Sequence, residues 1–252
     1  MQEEEKELIK AGADAVMRPF SELLLKLFGP SFEQIGGRWG DFWKNWREKR
    51  ARDFVSKLER IQRERNLQLR EVPTKLLQAV FDNASLEDND ELQTLWANLL
   101  LNASDARELN LVSIVFPDIL KDLGSREVKF LDALYRDANE RLQGHPLIEE
   151  IAQMPYDRSE LMELYAAAGL SRAGNIANPS PEELQNPDLK RDREEYWLML
   201  DTIRRHDVVR EVTYSDPMGW DGEPGSAPLR TQFHVTTLGA AFVKACRPPK
   251  AQ

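Results

Sequence analysis

Cysteine is nearly absent: Cys246 stands alone, so no internal disulfide can form, and a reducing compartment is the expected setting. Long apolar runs are missing too. A spanning helix needs roughly 20 uninterrupted apolar residues, and the best candidate, "FSELLLKLFG", is short and carries Glu22 and Lys26. The sequence opens on the acidic "MQEEEKELIK" where a secretory leader would be basic and then apolar. A cytoplasmic location is the expectation. Histidine is scarce, and His145, His206 and His234 are far apart with no ligand spacing, so no metal site is expected. The glycines form neither a Walker loop ending in lysine nor a G-x-S-x-G elbow. No catalytic residue, cofactor or small-molecule substrate is assigned, and the expectation is a protein that is not an enzyme.

What is present is charge, unevenly spread. The net charge is -9 over 252 residues. Residues 1–37 sum to -3, residues 38–70 to +6, residues 71–124 to -7 and residues 125–252 to -5. With 41% hydrophobic and 31% charged residues, the chain is apolar enough to fold, and its length suits two domains better than one. The reading is a helical bundle over 1–124 and a second module over 125–252, with a loop at about 171–192.

Helical periodicity dominates. Leu8, Ile9, Val16, Phe20, Leu23, Leu24, Leu27 and Phe28 recur at helical intervals, and a long amphipathic helix is expected from about Ser31 to about Leu69. At 100° per residue, Phe32, Ile35, Trp39, Phe42, Trp43 and Trp46 fall within an arc of about 100°, the width of a packing stripe, and Phe54, Leu58 and Ile61 continue it. Gly36, Gly37 and Gly40 either admit a close neighbour or break the helix. Leu76, Leu77, Val80, Phe81 and Ala84 follow Pro73. Then Leu92, Leu95, Trp96, Leu99, Leu100 and Ala103 give the strongest helical signal, behind acids that suit a helix start. Those acids, Asp88, Asp90 and Glu91, lack the glycine turn and terminal glutamate of a calcium loop. "LNLVSIVFPDILKDLG" predicts one more helix, interrupted near Pro117.

The second module reads as a helix capped by Ser125, a helix over "SELMELYAAAG" stopped by Gly169, and a third over "REEYWLMLDTIRRHD". The loop before the third helix has room for one capped turn at Ser180, Pro181 and Glu183. Two strands, "VVREVTY" and "RTQFHVT", flank a long Pro/Gly-rich connection, and Thr236 or Thr237 caps a closing helix. The fold class expected is mainly α: an N-terminal long-helix bundle followed by a winged-helix-like α+β module, the latter on element order alone.

The basic stretch "RWGDFWKNWREKRARDF" decides between functions. Burying one aromatic contributes on the order of 4 to 6 kcal/mol at most, which favours a packed seam whose Arg47, Lys49 and Arg52 form a solvated edge answering the acidic 71–124 region, with Arg50, near the centre of the arc, the exception placed to reach a buried or partner carboxylate. If the face instead holds a partner protein or a second copy, Trp43, Trp46, Arg47, Arg50 and Arg52 carry it. Membrane attachment gains about 1 kcal/mol per basic side chain, against which acidic neighbours work. Nucleic-acid binding would use Arg204, Arg205 and His206 of the third module helix, opposed by the module's charge of -5. Asn98 and Asn102 flank the Trp96 stripe, where their amides suit backbone groups of a neighbouring helix better than a ligand.

"LFGPSFEQIG", the stretch holding Trp46 and Arg47, "VPTKLL", "ASLEDNDELQTLWANLLLNA" and "DILKDLGSREVKFLDALY" follow one another as in the Abi-alpha family, named for bacterial abortive infection, which the chain resembles from about Leu27 to Tyr135. The C-terminal "VTTLGAAFVKAC" is similar to the family's tail. The resemblance implies a prokaryotic, cytoplasmic, largely helical protein of anti-phage defence, and it brings no catalytic residues. The sequence departs from the family over Ser171 to Asp192 and after Tyr214, where partner or trigger specificity can differ. A non-enzymatic defence protein acting by protein contacts is the leading expectation. Winged-helix nucleic-acid binding, membrane perturbation and an unrecognised enzyme are the alternatives.

Overall fold

The computed structural model describes residues 48–106, 112–143, 146–174, 176–215 and 229–250, together with Leu23, Lys26 and Leu27; for residues 48–52 and Ser215 it describes the backbone alone. The chain divides into two compact units, Met1–Asp118 with Ala245–Gln252, and Ile119–Lys244. Among the described residues the protein is mainly helical, with one small antiparallel sheet.

In the first unit, α1 (Glu48–Arg65) and α2 (Thr74–Ala84) are amphipathic helices packed through the stripes their sequences predict, while α3 (Asp90–Ser104) is buried beyond its stripe, at Gln93, Ala97, Asn98 and Leu101 as well. Phe54, Leu58 and Ile61 of α1 are buried, and Phe54 meets Phe81 of α2 edge-on at 5.7 Å. Helix α1 ends at Arg65, short of the expected Leu69. Asn66 takes a left-handed φ of 49°, while Leu67 N–H bonds to Gln62 O and Asn66 N–H to Arg63 O, a closing pattern that satisfies the last carbonyls. Leu69 then bridges to Asp105 instead of continuing the helix. Leu23 and Leu27, one helical turn apart, are buried, and Leu27 O accepts Val72 N–H at 2.9 Å. The expected helix around Trp39, Trp43 and Trp46, with its three glycines, lies outside the described residues.

Helix α3 starts where its acids stand. Asn89 caps it, accepting Glu91 N–H at 2.9 Å and Leu92 N–H at 3.1 Å. Its stripe residues Leu92, Trp96, Leu99, Leu100 and Ala103 are buried. The helix expected around Pro117 is reduced to α4 (Phe116–Leu120) within its described part, residues 112–124.

The second unit contains α5 (Ser125–Arg141), α6 (Ile148–Ala152), β1 (Pro155–Tyr156), α7 (Arg158–Ala167), a 3-10 turn at Glu183–Gln185, α8 (Pro187–Arg205), β2 (Val209–Ser215), β3 (Leu229–Val235) and the start of α9 (Thr237–Cys246). The sheet order is β1-β3-β2, all antiparallel, with Tyr156 opposite Phe233 and Val209 opposite Val235. Phe130, Tyr165 and Tyr196 bring α5, α7 and α8 together, the two tyrosine rings 5.4 Å apart.

Several local expectations need correction. Gly124, not Ser125, is the cap of α5, because the Glu127 carboxylate reaches back to accept Gly124 N–H at 2.9 Å. The loop expected to Asp192 ends at Asn186: Asn186 caps α8 by accepting Asp188 N–H, and Pro187 opens the helix, so the asparagine–proline pair marks a helix start. Strand β1 was not anticipated, since two residues carry no alternation signal. The Gly169 stop holds, with φ 72°. Thr236 is the residue that caps α9, accepting Gly239 N–H at 2.9 Å while its own hydroxyl donates to Asp207 O.

Candidate functional site

Of the expected partner-binding residues, Trp43, Trp46 and Arg47 lie outside the described residues. Arg50 and Arg52 lie in α1, whose backbone alone is described there. Further along α1 a basic side chain does answer the acidic region, from a buried position. Lys57 is 7% exposed, and its ammonium donates to Asp90 Oδ1 at 2.7 Å, Asp90 O at 2.9 Å and Thr94 Oγ1 at 3.1 Å. All three N–H donors are thus satisfied, which is what lets a lysine be buried. The hydrogen bond from Lys57 and its charge hold the Asp90 carboxyl below the usual range.

Arg204, Arg205 and His206 close α8. Arg204 is engaged twice, with Glu211 Oε2 at 2.7 Å and Asp201 Oδ1 at 3.5 Å. His206 Nε2 lies 3.3 Å from Asp122 Oδ2, an ion-pair distance without hydrogen-bond geometry. Arg205 is exposed. The three residues do not converge into a free basic patch.

Asn98 and Asn102 take the structural role. Asn98 Nδ2 donates to Cys246 O at 3.0 Å, and Asn102 Nδ2 donates to Ala245 O and Arg247 O at 2.8 Å each. The terminal carbonyls of a helix have no partner within it, and here two amides one turn apart on α3 supply donors for the end of α9. Burial pushes the Cys246 thiol far above its ordinary range.

The most unusual chemistry is a clasp between Asp192 and the loop after α7. Asp192 is fully buried on the core face of α8, in register with Leu189, Tyr196, Met199 and Ile203. One carboxylate oxygen, Oδ2, accepts Ser171 Oγ at 2.8 Å, Arg172 N–H at 2.6 Å and Ala173 N–H at 2.8 Å. Burial alone would raise this carboxyl, but the two N–H groups, the hydroxyl and the Arg172 charge outweigh it, and the group sits below the usual carboxylate range. Beside it, Arg193 donates to Ile176 O at 3.0 Å, so two consecutive α8 residues hold the loop, and Gly174 turns it with φ 80°. The expected capped turn is present: Ser180 N–H bonds to Glu183 Oε2 at 2.7 Å and Glu183 N–H to Ser180 Oγ at 3.2 Å.

Three buried oxygens of this unit have no hydrogen-bond partner among the described residues: Asp192 Oδ1 and the hydroxyls of Tyr165 and Tyr196. Burial raises both phenols, so both remain protonated donors. The clasp was missed because the sequence around it reads as loop. The available signal was an aspartate at a core-facing position of the amphipathic pattern that runs from Leu189 to Ile203.

Over residues 47–246 the sequence matches the family described as Abortive infection alpha. No curated protein and no solved structure matches it. Because the family match covers most of the sequence, the chain belongs to the Abortive infection alpha family.

Proposed function

We propose that this protein serves anti-phage defence of the abortive-infection type from the cytoplasm, acting by protein contacts without chemistry of its own. Trp43, Trp46, Arg47, Arg50 and Arg52 are its proposed partner face, and the second unit is a winged-helix-like docking module. The module reading is supported by the β1-β3-β2 sheet and by an element order of helix, short helix, strand, helix, 3-10 turn, helix, two strands and a closing helix, which is the winged order with the short α6 and the 3-10 turn added.

The observation that carries the choice of protein over nucleic acid is the charge of α8. That helix holds five acidic and five basic residues, and at its end Arg204 and His206 face carboxylates of their own unit. Binding a polyanion gains its free energy from cations that displace counterions, and α8 has no excess to offer. Leu198, Val212 and Leu229 are exposed on the same module and suit a protein partner. Membrane perturbation is disfavoured by the inward orientation of Phe54, Val55, Leu58 and Ile61. No described helix is long and apolar enough to cross a membrane.

Reversing the charge of Arg47, Arg50 and Arg52 together is expected to abolish phage protection in plaque counts while leaving the melting temperature within a few degrees. Full protection by that variant refutes the use of this face. A gel shift at low salt tests the alternative: retardation of DNA or RNA by the purified protein would replace the protein-contact reading.

A further inference from the structure

Arg158, the first residue of α7, is exposed, and its guanidinium carbon lies 5.0 Å from the centre of the Trp197 ring. In the same unit Arg126, Arg136, Arg141, Arg191, Arg204 and Arg210 each hold a carboxylate. Arg158 holds none among the described residues. Stacking on an indole leaves the edge of a guanidinium open to a carboxylate in bidentate geometry. Leu198, next along α8, is 69% exposed. Packed 5.1 Å from the Trp197 ring is Tyr196, fully buried, whose hydroxyl has no partner among the described residues and feels the Arg158 charge. Arginine and tryptophan are residues that concentrate binding energy at protein interfaces, and this cluster, with Leu198 exposed beside it, calls for a carboxylate beside an apolar side chain.

The same unit displays such a group. In the turn "SPEELQNP", Ser180 and Glu183 cap one another, which leaves Glu182 exposed with no partner among the described residues and Leu184 41% exposed. Within one chain this turn lies at the start of α8, Trp197 lies about 15 Å further along that helix at 1.5 Å per residue, and Glu182 is not paired with Arg158. A second copy can bring the two together, and under a two-fold axis each copy gives what it receives.

We propose that two copies of the chain associate through this unit, Glu182 of one copy pairing with Arg158 of the other while Leu184 seats against Trp197 and Leu198. The inference rests on the protein-contact reading above and names one partner of it. The test is sedimentation velocity of the full chain from about 1 µM to about 1 mM, the range in which modest interfaces form. The mass is expected to rise toward that of a dimer. Arg158→Glu or Glu182→Arg alone should weaken association about tenfold or more, and the double exchange should restore it to within about threefold. A peptide spanning residues 178–188 should compete. A chain that stays monomeric, single variants that associate normally, or a double exchange no better than the singles each overturns the proposal. Failure of the underlying reading would show separately, as retarded nucleic acid in the gel shift.

Discussion

Replacing Asp192 should loosen the loop at Ser171–Ala173 before it unfolds the protein. Its carboxylate accepts three donors at 2.6 to 2.8 Å, and bonds to a charged acceptor contribute about 1.5–3 kcal/mol each against about 0.5–1.5 for a neutral one. In Asp192→Asn the amide oxygen can face the same donors, at a loss of about 1 kcal/mol per bond. Its NH2 group then occupies the place of Oδ1, which has no partner among the described residues, and a buried donor left unsatisfied costs a further 1–3 kcal/mol, roughly. Relief from burying a charge offsets about 2–4 kcal/mol of the resulting 4–6, and the expected net cost is about 2 kcal/mol. Asp192→Ala removes the acceptor altogether. The loop then opens to water, which limits the loss to about 3 kcal/mol and strips protection from the Arg172 and Ala173 amides.

Hydrogen exchange of those two amides, followed beside a urea titration, separates the local event from the global one. Protection of both should fall at least ~100-fold in Asp192→Ala, since each 1.4 kcal/mol is tenfold. The folded-state carboxyl is depressed below 3.8, so its stabilisation is fully present above the unfolded value and is lost as pH falls through the lower, folded one. The wild-type clasp should therefore hold through mild acid and open only below about pH 3.8, the value an unfolded aspartate takes. Unchanged protection in Asp192→Ala, together with a stability change under about 0.5 kcal/mol, would refute the argument.

Three further substitutions probe the C-terminal helix. A Cβ at Gly239 would overlap the Val208 carbonyl oxygen, a backbone atom that cannot rotate away. Gly239→Ala should therefore cost about 3 kcal/mol or more despite alanine's better helix propensity, and an unshifted urea midpoint would contradict that close approach. Asn102→Ala strands two carbonyls and Asn98→Ala one, so the first should cost about 1–3 kcal/mol and the second less, since Asn98 Oδ1 has no partner among the described residues. Thiol-reagent kinetics at Cys246 read out the same contact: the buried thiol should react slowly in the wild type and faster in Asn102→Ala, and equal rates would count against it.

What the sequence determined by itself is whatever repeats within one turn or one pleat. The Leu92–Ala103 stripe, the acidic start before it, the Gly169 stop and the two strands after Val208 were legible because an amphipathic period and a helix end depend only on neighbours a few residues away. Tertiary structure decided the rest, because the deciding partner is remote. Lys57 reads as one more cation of a basic helix until α3 brings Asp90 and Thr94 to its ammonium, 33 and 37 residues on. Asn102 finds its carbonyls 143 and 145 residues away. Asp192 reads as part of a polar loop, and only the return of Ser171, Arg172 and Ala173 makes it a buried anchor. A buried charge is stable only when distant groups converge on it, and that convergence leaves no periodic trace in the chain.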